Sequence, residues 1–262
     1  VLLFGLDRRD ASEKQPRSDS IMIATIDKSN QKLKLTSLMR DMYVSIPGKR
    51  DHKLNSAYAF GGPALAIKTV NSNFNLSIDK YAAVDFFALE QIIDILGGVD
   101  IDLKNEEVKF LNSALSELNN LDKTGKKSPH VTSGGLQTLD GKQAVAYSRI
   151  RYVGRDDFER TERQRRVLSQ LFDKVSNMNV AQATKLASSI LPHVETNMTN
   201  TEIISLGTSV LGFKDKKIYQ YRIPVDGTFT SETRSKMSVL VPDLPANNKL
   251  LHEFIYESDG DM

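Results

Sequence analysis

Residues 20–38, SIMIATIDKSNQKLKLTSL, decide the fold of this chain because they contain two strand-like runs joined by a short polar turn. The runs are Ser20–Asp27 and Lys32–Leu38, and the residues KSNQ separate them. Short runs rich in apolar and β-branched residues, bounded by polar turn residues, are typical of β-strands. Upstream, Val1–Leu6 has the same character and ends at Asp7. The start of the chain therefore predicts three neighbouring antiparallel strands.

Charged side chains mark the ends of these predicted strands. Asp7 ends the first strand, Asp19 precedes the second and Arg40 follows the third. If the strands run antiparallel, all three side chains lie at the same edge of the sheet. Two carboxylates there can share a hard cation, and an arginine beside them suits a phosphate. The alternatives are turn or capping roles for the aspartates and an ion pair between Arg40 and Asp41, but the coincidence at one edge favours a site.

Further along the chain, predicted strands and helices alternate. The pattern indicates a strand over Ile78–Val84, a helix over Phe86–Leu96 capped by Asp85, and a strand over Val99–Leu103. A strand–helix–strand order predicts an α/β fold, a three-layer α-β-α sandwich with helices on both faces of the sheet. The sequence contains no internal repeat or low-complexity linker, which predicts a single domain over residues 1–262, with 105–135 as an insertion or lid.

Composition excludes several classes of protein. The chain has 262 residues, is 40% hydrophobic and 26% charged, and carries a net charge of +2, so it can bury a sizeable core and is not a strongly basic nucleic-acid scaffold. The absence of cysteine excludes disulfides, a thiolate nucleophile and a zinc–thiolate site. The chain opens on a strand-like run without an initiator Met, so we expect a preceding segment that could carry a membrane anchor.

A second candidate feature is the stretch 149–166, RIRYVGRDDFERTERQRR, which holds seven of the fourteen arginines and no lysine. The planar guanidinium group grips phosphate or carboxylate through two parallel hydrogen bonds, which a lysine cannot do. Four acidic residues in the same stretch argue against a plain polyanion-binding arm. We therefore interpret the stretch as a shaped site for a compact anion, with a salt-bridged surface helix as the alternative.

The apolar spacing places most of this stretch on a helix over 158–175, with Asp157 as its N-cap. An inward face is assigned to Leu168, Leu171, Phe172 and Val175. Projected back at about 100° per residue, this face passes through Thr161 and Gln164. The flanking positions are Arg160 and Arg165, and the positions pointing away are Arg163 and Arg166. Residues 147–151 are expected to be extended, which would place Arg149 and Arg151 on one side.

Five motifs in sequence resemble the LytR-CpsA-Psr family: GLDRRD…RSDSIMIATID at 5–27, SLMRD at 37–41, LGGVDID at 96–102, GLQTLDGKQAVAYSR at 135–149 and YSRIRYVGRDDFERTERQRR at 147–166. The resemblance extends from the start of the chain to about residue 175. It implies an α/β sandwich with a mixed central sheet and a catalytic domain outside a Gram-positive cell, tethered to the cell membrane by an N-terminal anchor. It also implies transfer of an anionic glycopolymer, wall teichoic acid or capsular polysaccharide, from a polyprenyl-pyrophosphate carrier to peptidoglycan.

The resemblance assigns roles to individual residues. Asp7 and Asp19 match the two acidic positions of the family's Mg²⁺ site, and Arg40 matches an arginine that contacts the pyrophosphate. Arg149 and Arg151 match the R-x-R motif. The other matching positions, which complete the implied catalytic and substrate-binding set, are Asp157, Arg160 and Gln164, the last being the glutamine of R-x-x-R-Q. The doubled acid at 156–157 leaves the choice of the functional acid open.

The resemblance also implies an apolar tunnel for the polyprenyl chain. Its candidate lining, for which an ordinary core is the alternative, is Leu89, Ile92, Ile93, Leu96, Val167, Leu168, Leu171 and Phe172. Three other functions remain open: a polyprenyl-phosphate-binding module without turnover, a lipid pyrophosphatase and a DNA-binding regulator. The near-neutral charge and the acids within the arginine stretch argue against a nucleic-acid partner.

Overall fold

The computed structural model describes residues 1–8, 16–122, 125–151 and 157–256. Asp156, the first residue of the doubled acid at 156–157, therefore lies outside the described residues. Contacts divide the chain into two compact units, one formed by Val1–Ala83 with Thr196–Met262 and the other by Val84–Glu195. The interpretation as a single domain stays a prediction.

The strands of the described residues are β1 (Leu2–Asp7), β2 (Arg17–Asp27), β3 (Lys32–Leu38), β4 (Tyr43–Val44), β5 (His52–Lys53), β6 (Tyr81–Asp85), β7 (Val99–Leu103), β8 (Gly135–Leu139), β9 (Glu195–Thr196), β10 (Ile218–Ile223), β11 (Phe229–Arg234) and β12 (Met237–Pro242). The α-helices are α1 (Ser56–Phe74), α2 (Phe86–Ile95), α3 (Asn105–Leu121), α4 (Gly141–Ser148), α5 (Asp157–Ser176), α6 (Val180–Ile190), α7 (Asn200–Leu211) and α8 (Leu244–Tyr256). A short 3₁₀-helix covers Leu191–His193.

The central sheet has six strands in the order β10-β3-β2-β1-β6-β9. The β2–β3 hairpin is antiparallel with Asp27 opposite Lys32, and β1 pairs antiparallel with β2, as the sequence predicts. In contrast, β10 runs parallel to β3, with Ile223 opposite Leu38. The sheet is therefore mixed, and the predicted α/β fold class is confirmed.

Two helices of the first unit, α1 and α8, pack on β2 and on each other. The α1 helix is kinked at Gly61 and Gly62, and Gly62 has a φ of +64°, a conformation that favours glycine. Pro63 then opens the second segment, as its preference for a first turn predicts. The residues just before the kink, Ser56–Phe60, are also helical.

In the second unit, β7 and β8 form an antiparallel ladder from Val99 opposite Leu139 to Leu103 opposite Gly135. The sequence pattern does not predict β8. The hydrophobic core of this unit joins β7, β8, the four helices α2 to α5 and the residues that follow α4. It includes Ile93, Leu111, Leu115, Leu118, Val167 and Leu171.

The helices that contribute residues to this core are α2, α3, α4 and α5. Of the predicted tunnel residues, Ile93, Val167 and Leu171 are buried within the core, and Leu89, Leu96 and Leu168 pack against it. These six residues therefore belong to the core or adjoin it, and the apolar tunnel stays a prediction. Helix α3 supplies part of the same core. The interpretation of residues 105–135 as an insertion or lid stays a prediction.

Candidate functional site

The first part of the site lies at the sheet edge where β1 and β3 end and β2 begins. Asp7 is the last residue of β1 and lies opposite Arg17. The sequence analysis predicts that Asp19 precedes β2, but Asp19 lies within this strand. It is the extra residue of a β-bulge, because Leu6 pairs with Ser18 and Gly5 pairs with Ser20. The predicted placement of the two aspartates at one edge of the sheet is confirmed.

Glycine at position 5 permits the close approach of the two strands at this bulge. A Cβ atom on Gly5 would lie 2.9 Å from the Cβ of Ser20, which is closer than real Cβ contacts allow. Any larger residue would push β1 and β2 apart beside Asp19. The bulge therefore depends on this glycine, and it sets the position from which the Asp19 carboxylate leaves the strand.

Arg40 follows β3 at the same edge and is held between two carboxylates. Its Nη1 lies 2.7 Å from Oδ1 of Asp19, and its Nε lies 3.6 Å from Oδ2 of Asp41. Lys53 in β5 extends the chain of charges, with Nζ 2.7 Å from Oδ1 of Asp41. The ion pair of Arg40 with Asp41 thus coexists with the contact to Asp19. In the sequence, Lys53 is marked as a candidate site residue only by its position in the largely polar run 50–55.

The pKa of His52, the neighbour of Lys53 in β5, is lowered by its surroundings. Burial lowers the pKa of His52, and the nearby cations Arg50, Arg17 and Lys53 lower it further. Among the described residues its buried Nδ1 has no hydrogen-bond partner. Burial and the three cations thus both disfavour the protonated form of the imidazole.

The second part of the site lies in the second unit, where α4 ends at Arg149. The prediction that residues 147–151 are extended is wrong, because Tyr147 and Ser148 are helical and Arg149 caps α4 with φ −97° and ψ −7°. The Asp140 side chain fixes the other end of α4 by accepting a hydrogen bond from the Gln143 amide. Arg151 lies two residues beyond the cap and is half-buried.

The Arg149 guanidinium group contacts two side chains of the same unit. Its Cζ lies 4.8 Å from the ring centroid of Phe86, and its Nη2 lies 3.3 Å from both carboxylate oxygens of Glu117. Its Nη1 is buried and has no hydrogen-bond partner among the described residues. A buried guanidinium N–H without a partner is costly, so this group can donate a hydrogen bond to a ligand oxygen without breaking an existing bond.

The face of α5 that turns inward is displaced from the predicted one. The most buried residues of its first three turns are Arg160, Thr161, Arg163 and Val167. Arg163, predicted to point away, is 2% exposed. Its Nε lies 2.7 Å from Oε1 of the equally buried Glu107, and its Nη1 donates to the Ile150 carbonyl at 3.2 Å. Apolar periodicity fails here because a charge pair, and not a leucine, fills the position.

The other residues of this helix that the sequence analysis discusses are distributed over its first three turns. Asp157 is the first residue of α5 and not its N-cap, and its Oδ1 lies 3.4 Å from Nη2 of the buried Arg160. Gln164 is half-buried. Arg166 pairs with Glu162 one turn earlier and donates to the Tyr147 hydroxyl at 3.2 Å. The salt-bridged interpretation therefore describes Arg163 and Arg166, although Arg163 is buried.

A small pocket of about 130 Å³ lies beside these ion pairs. Its lining consists of three basic and three acidic side chains: Lys104, Glu107, Glu159, Glu162, Arg163 and Arg166. None of these six residues was predicted to bind the substrate. Since Arg163 and Arg166 are paired with acids of the same lining, the pocket does not present a surplus of positive charge to an anion.

Each unit thus brings together part of the predicted set. Asp7, Asp19 and Arg40 share one sheet edge in the first unit, and the other predicted residues lie in the second. Their convergence on a single rim stays a prediction. In the part of the chain that the structure describes, no group of three or more His, Cys, Asp or Glu side chains is placed to hold a metal ion. The two-carboxylate metal site also stays a prediction.

Comparison with known proteins decides the family. The profile of the LytR_cpsA_psr family matches residues 1–253. The chain belongs to the LytR-CpsA-Psr family. It is 32% identical over 261 residues to the Staphylococcus aureus protein named regulatory protein MsrR, covering 98% of this chain and 74% of the relative. No helix in the described ranges is long and apolar enough to cross a membrane.

Two further relatives come from Bacillus subtilis. The polyisoprenyl-teichoic acid–peptidoglycan teichoic acid transferase TagV is 32% identical over 223 residues, which cover 83% of this chain and 54% of TagV. Its crystal structure superposes with a TM-score of 0.76 at 29% identity, covering 98% of this chain and 96% of that one. TagT (YwtF), solved with bound octaprenyl pyrophosphate lipid, gives a TM-score of 0.72 at 25% identity, covering 97% and 89%. The fold of this family member is therefore that of its solved relatives.

Proposed function

We propose that this protein is a phosphotransferase that attaches an anionic glycopolymer, from a polyprenyl-pyrophosphate carrier, to peptidoglycan. The name of TagV and the octaprenyl pyrophosphate bound to TagT support the reaction and the lipid carrier. The glycopolymer is wall teichoic acid or a capsular polysaccharide. We place the reaction at the outer face of the cell membrane of a Gram-positive cell, with an N-terminal anchor outside this chain.

The observation that carries this proposal is the arrangement of Arg40. Its guanidinium group leaves the end of β3 between the carboxylates of Asp19 and Asp41, and both contacts fix its orientation. The side chain is 16% exposed, so it is largely shielded from water yet still accessible. A fixed, partly desolvated arginine binds a phosphoryl oxygen more strongly than a mobile surface lysine, because less freedom is lost and the local dielectric constant is lower.

The chemistry requires positioning and charge stabilisation more than covalent help from the protein. An acceptor hydroxyl oxygen of peptidoglycan forms a bond to the phosphorus that carries the glycan. The bond from that phosphorus to the bridging oxygen breaks, and polyprenyl phosphate leaves with the electron pair. Arg40, Arg149, Arg151 and Arg160 would bind the phosphoryl oxygens, with Gln164 as an added hydrogen-bond donor.

The hydroxyl proton needs an acceptor, and a carboxylate is the available class of base. Asp157 is the candidate, because it lies at the start of α5 with its Oδ1 3.4 Å from Nη2 of Arg160, another residue of the proposed site. Asp19 is the alternative. Comparing the pH profiles of transfer by Asp157→Asn and Asp19→Asn distinguishes them, since loss of the base removes the acidic limb of the profile.

Magnesium belongs to the same proposal, with Asp7 and Asp19 as its protein ligands. Their carboxylates lie on neighbouring strands beside the bulge, and Mg²⁺ commonly takes one or two carboxylates together with water and phosphate oxygens. The donor set therefore fits this ion. When bound, Mg²⁺ would neutralise negative charge on the diphosphate. The role of the two side chains would be to hold it beside Arg40.

Substitution of single arginines tests the proposal. With lipid-linked glycan and peptidoglycan as substrates, Arg40→Ala and Arg149→Ala should each reduce transfer roughly a hundredfold, equivalent to about 3 kcal/mol in the barrier. The matched control is Arg234→Ala, which removes an arginine of β11 that is 43% exposed and paired with Glu232. The control should stay within about twofold of wild type. Near-normal transfer by both site variants would remove these arginines from the mechanism.

The products distinguish the alternative functions. A binding module would retain the lipid-linked glycan unchanged, and a pyrophosphatase would release glycan phosphate with or without the peptidoglycan acceptor. We expect glycan covalently linked to peptidoglycan, formed only when the acceptor is present. A salt titration with duplex DNA should show no binding, because the chain lacks a strongly positive net charge.

A further inference from the structure

Phe86 and Arg149 form a contact that neither the motif pattern nor the predicted site includes. The Arg149 Cζ lies 4.8 Å from the centroid of the Phe86 ring, within the distance at which a cation is attracted to the face of an aromatic ring. Guanidinium groups stack on such faces and lose rotational freedom when they do. The ring therefore constrains the plane in which the Arg149 N–H groups lie.

The position of Phe86 is itself fixed by its surroundings. It is the first residue of α2, whose start is set by the Asp85 side chain, which accepts a hydrogen bond from the Ala88 amide at 2.9 Å. The Phe86 side chain also packs against the hydrophobic core of the second unit. A ring anchored by a capped helix start and by core packing is a rigid support for a cation.

The two side chains that contact Arg149, Phe86 and Glu117, leave the Nη1 group of the guanidinium available. The ring contacts the guanidinium group as a whole, and Glu117 accepts from Nη2 at 3.3 Å. Glu117 is 44% exposed, so this ion pair is weak and does not by itself fix the arginine. Buried Nη1 has no hydrogen-bond partner among the described residues, which is the state expected of a donor that awaits a ligand oxygen.

We propose that Phe86 is a positioning residue for the reaction: its ring holds the Arg149 guanidinium group so that Nη1 is oriented toward a diphosphate oxygen. Phe86 does not contact the ligand in this arrangement and acts only through Arg149. The inference rests on the proposed function, because it takes Arg149 as a ligand of the lipid diphosphate. It adds a residue outside the arginine-rich stretch and outside the sheet edge.

The experiment replaces Phe86 with mono-, di- and trifluorinated phenylalanine in the full chain. Fluorine withdraws charge from the ring face and weakens the attraction for a cation, with little change in shape. The affinity for geranylgeranyl pyrophosphate, measured by calorimetry, should fall stepwise with each fluorine, by roughly tenfold over the series. Phe86→Tyr should keep the affinity, and Phe86→Leu should lose about as much as the trifluorinated ring.

Two controls separate positioning from a general structural effect. The same fluorinated residues at Phe74, which is fully buried in the first unit, should leave the affinity unchanged. In an Arg149→Ala background, fluorination at Phe86 should no longer alter the affinity, because the cation that senses the ring is gone. A melting temperature close to that of wild type for each fluorinated protein excludes unfolding as the cause.

The outcomes separate this inference from the proposed function. If the unmodified protein binds geranylgeranyl pyrophosphate and transfers glycan, but its affinity does not change with fluorination at Phe86, the positioning role is refuted and the proposed function stands. If the unmodified protein neither binds the diphosphate nor transfers glycan, both are refuted. A stepwise loss that disappears without Arg149 supports the positioning role.

Discussion

Replacing Arg163 should destabilise the protein rather than weaken substrate binding, although Arg163 lies within the R-x-x-R-Q motif. The side chain is 2% exposed, and its Nε lies 2.7 Å from a carboxylate oxygen of Glu107, which is 1% exposed. Nη1 donates to the Ile150 carbonyl at 3.2 Å, and Nη2 lies 3.3 Å from Glu159. These contacts join α3, the segment after α4, and α5 through one guanidinium group.

The magnitude follows from what Arg163→Met leaves behind. The Glu107 carboxylate would remain buried without this cation, and removal of one partner from a buried ion pair costs about 3–5 kcal/mol. Since each kcal/mol lowers the melting temperature of a protein of this size by about 2–4 °C, we expect a decrease of roughly 6–20 °C. The free energy of unfolding is measured by urea titration followed by circular dichroism.

A second variant tests the cause of this loss. Glu107→Leu combined with Arg163→Met removes both charges, and well-packed apolar side chains often replace a buried ion pair without net cost. The double variant should therefore recover at least about 2 kcal/mol relative to Arg163→Met alone. If Arg163→Met stays within about 1 kcal/mol of wild type but loses glycan transfer, the structural assignment of Arg163 is refuted, and the residue belongs to the substrate site.

Three further predictions concern the first unit. Lys53→Met removes the cation that contacts the Asp41 carboxylate beside Arg40. It should lower the transfer rate roughly fivefold, equivalent to about 1 kcal/mol in the barrier. The melting temperature should change by no more than a few degrees. The pKa of His52 is lowered in the folded state, so its contribution to stability is present above its ordinary pKa of 6.5 and is lost as the pH falls below it. His52→Gln should therefore lose less stability than wild type between pH 7 and pH 5 in urea titrations. Removal of Mg²⁺ with EDTA should reduce the rate of glycan transfer roughly a hundredfold, and added Mg²⁺ should restore it. The double variant Asp7→Asn, Asp19→Asn should no longer respond to added Mg²⁺.

Strands with a clear local pattern are the part of the structure that the sequence predicts best. Lys32–Leu38 and Val99–Leu103 have the predicted bounds, and the Asp85 cap is confirmed. Their signals are local, since each depends on residues within one run or one helical turn. Strand β8 is missed because it pairs only with β7 and leaves Leu136 76% exposed, so it lacks the apolar alternation of a half-buried strand.

The site is less predictable because two of its features depend on residues distant in sequence. The bulge at Asp19 requires knowledge of the pairing partner, since an extra residue in β2 is defined only against Gly5 and Leu6. The burial of Arg163 requires Glu107, which lies 56 positions earlier in the chain. Apolar periodicity cannot show either feature, because neither changes the hydrophobic pattern of its own segment.

The arginine-rich stretch is therefore best understood as two populations with different electrostatic roles. Arg163 and Arg166 are paired with acids on α3 or one turn earlier on α5, so their charge is largely neutralised within the fold. Arg149 has a weak pair with an exposed glutamate, an aromatic support and a buried N–H group without a partner among the described residues. An incoming diphosphate gains most from the arginine whose hydrogen-bonding capacity the fold has not used, because no existing bond must be broken. This difference explains how a stretch with four acidic residues can still supply an anion-binding group.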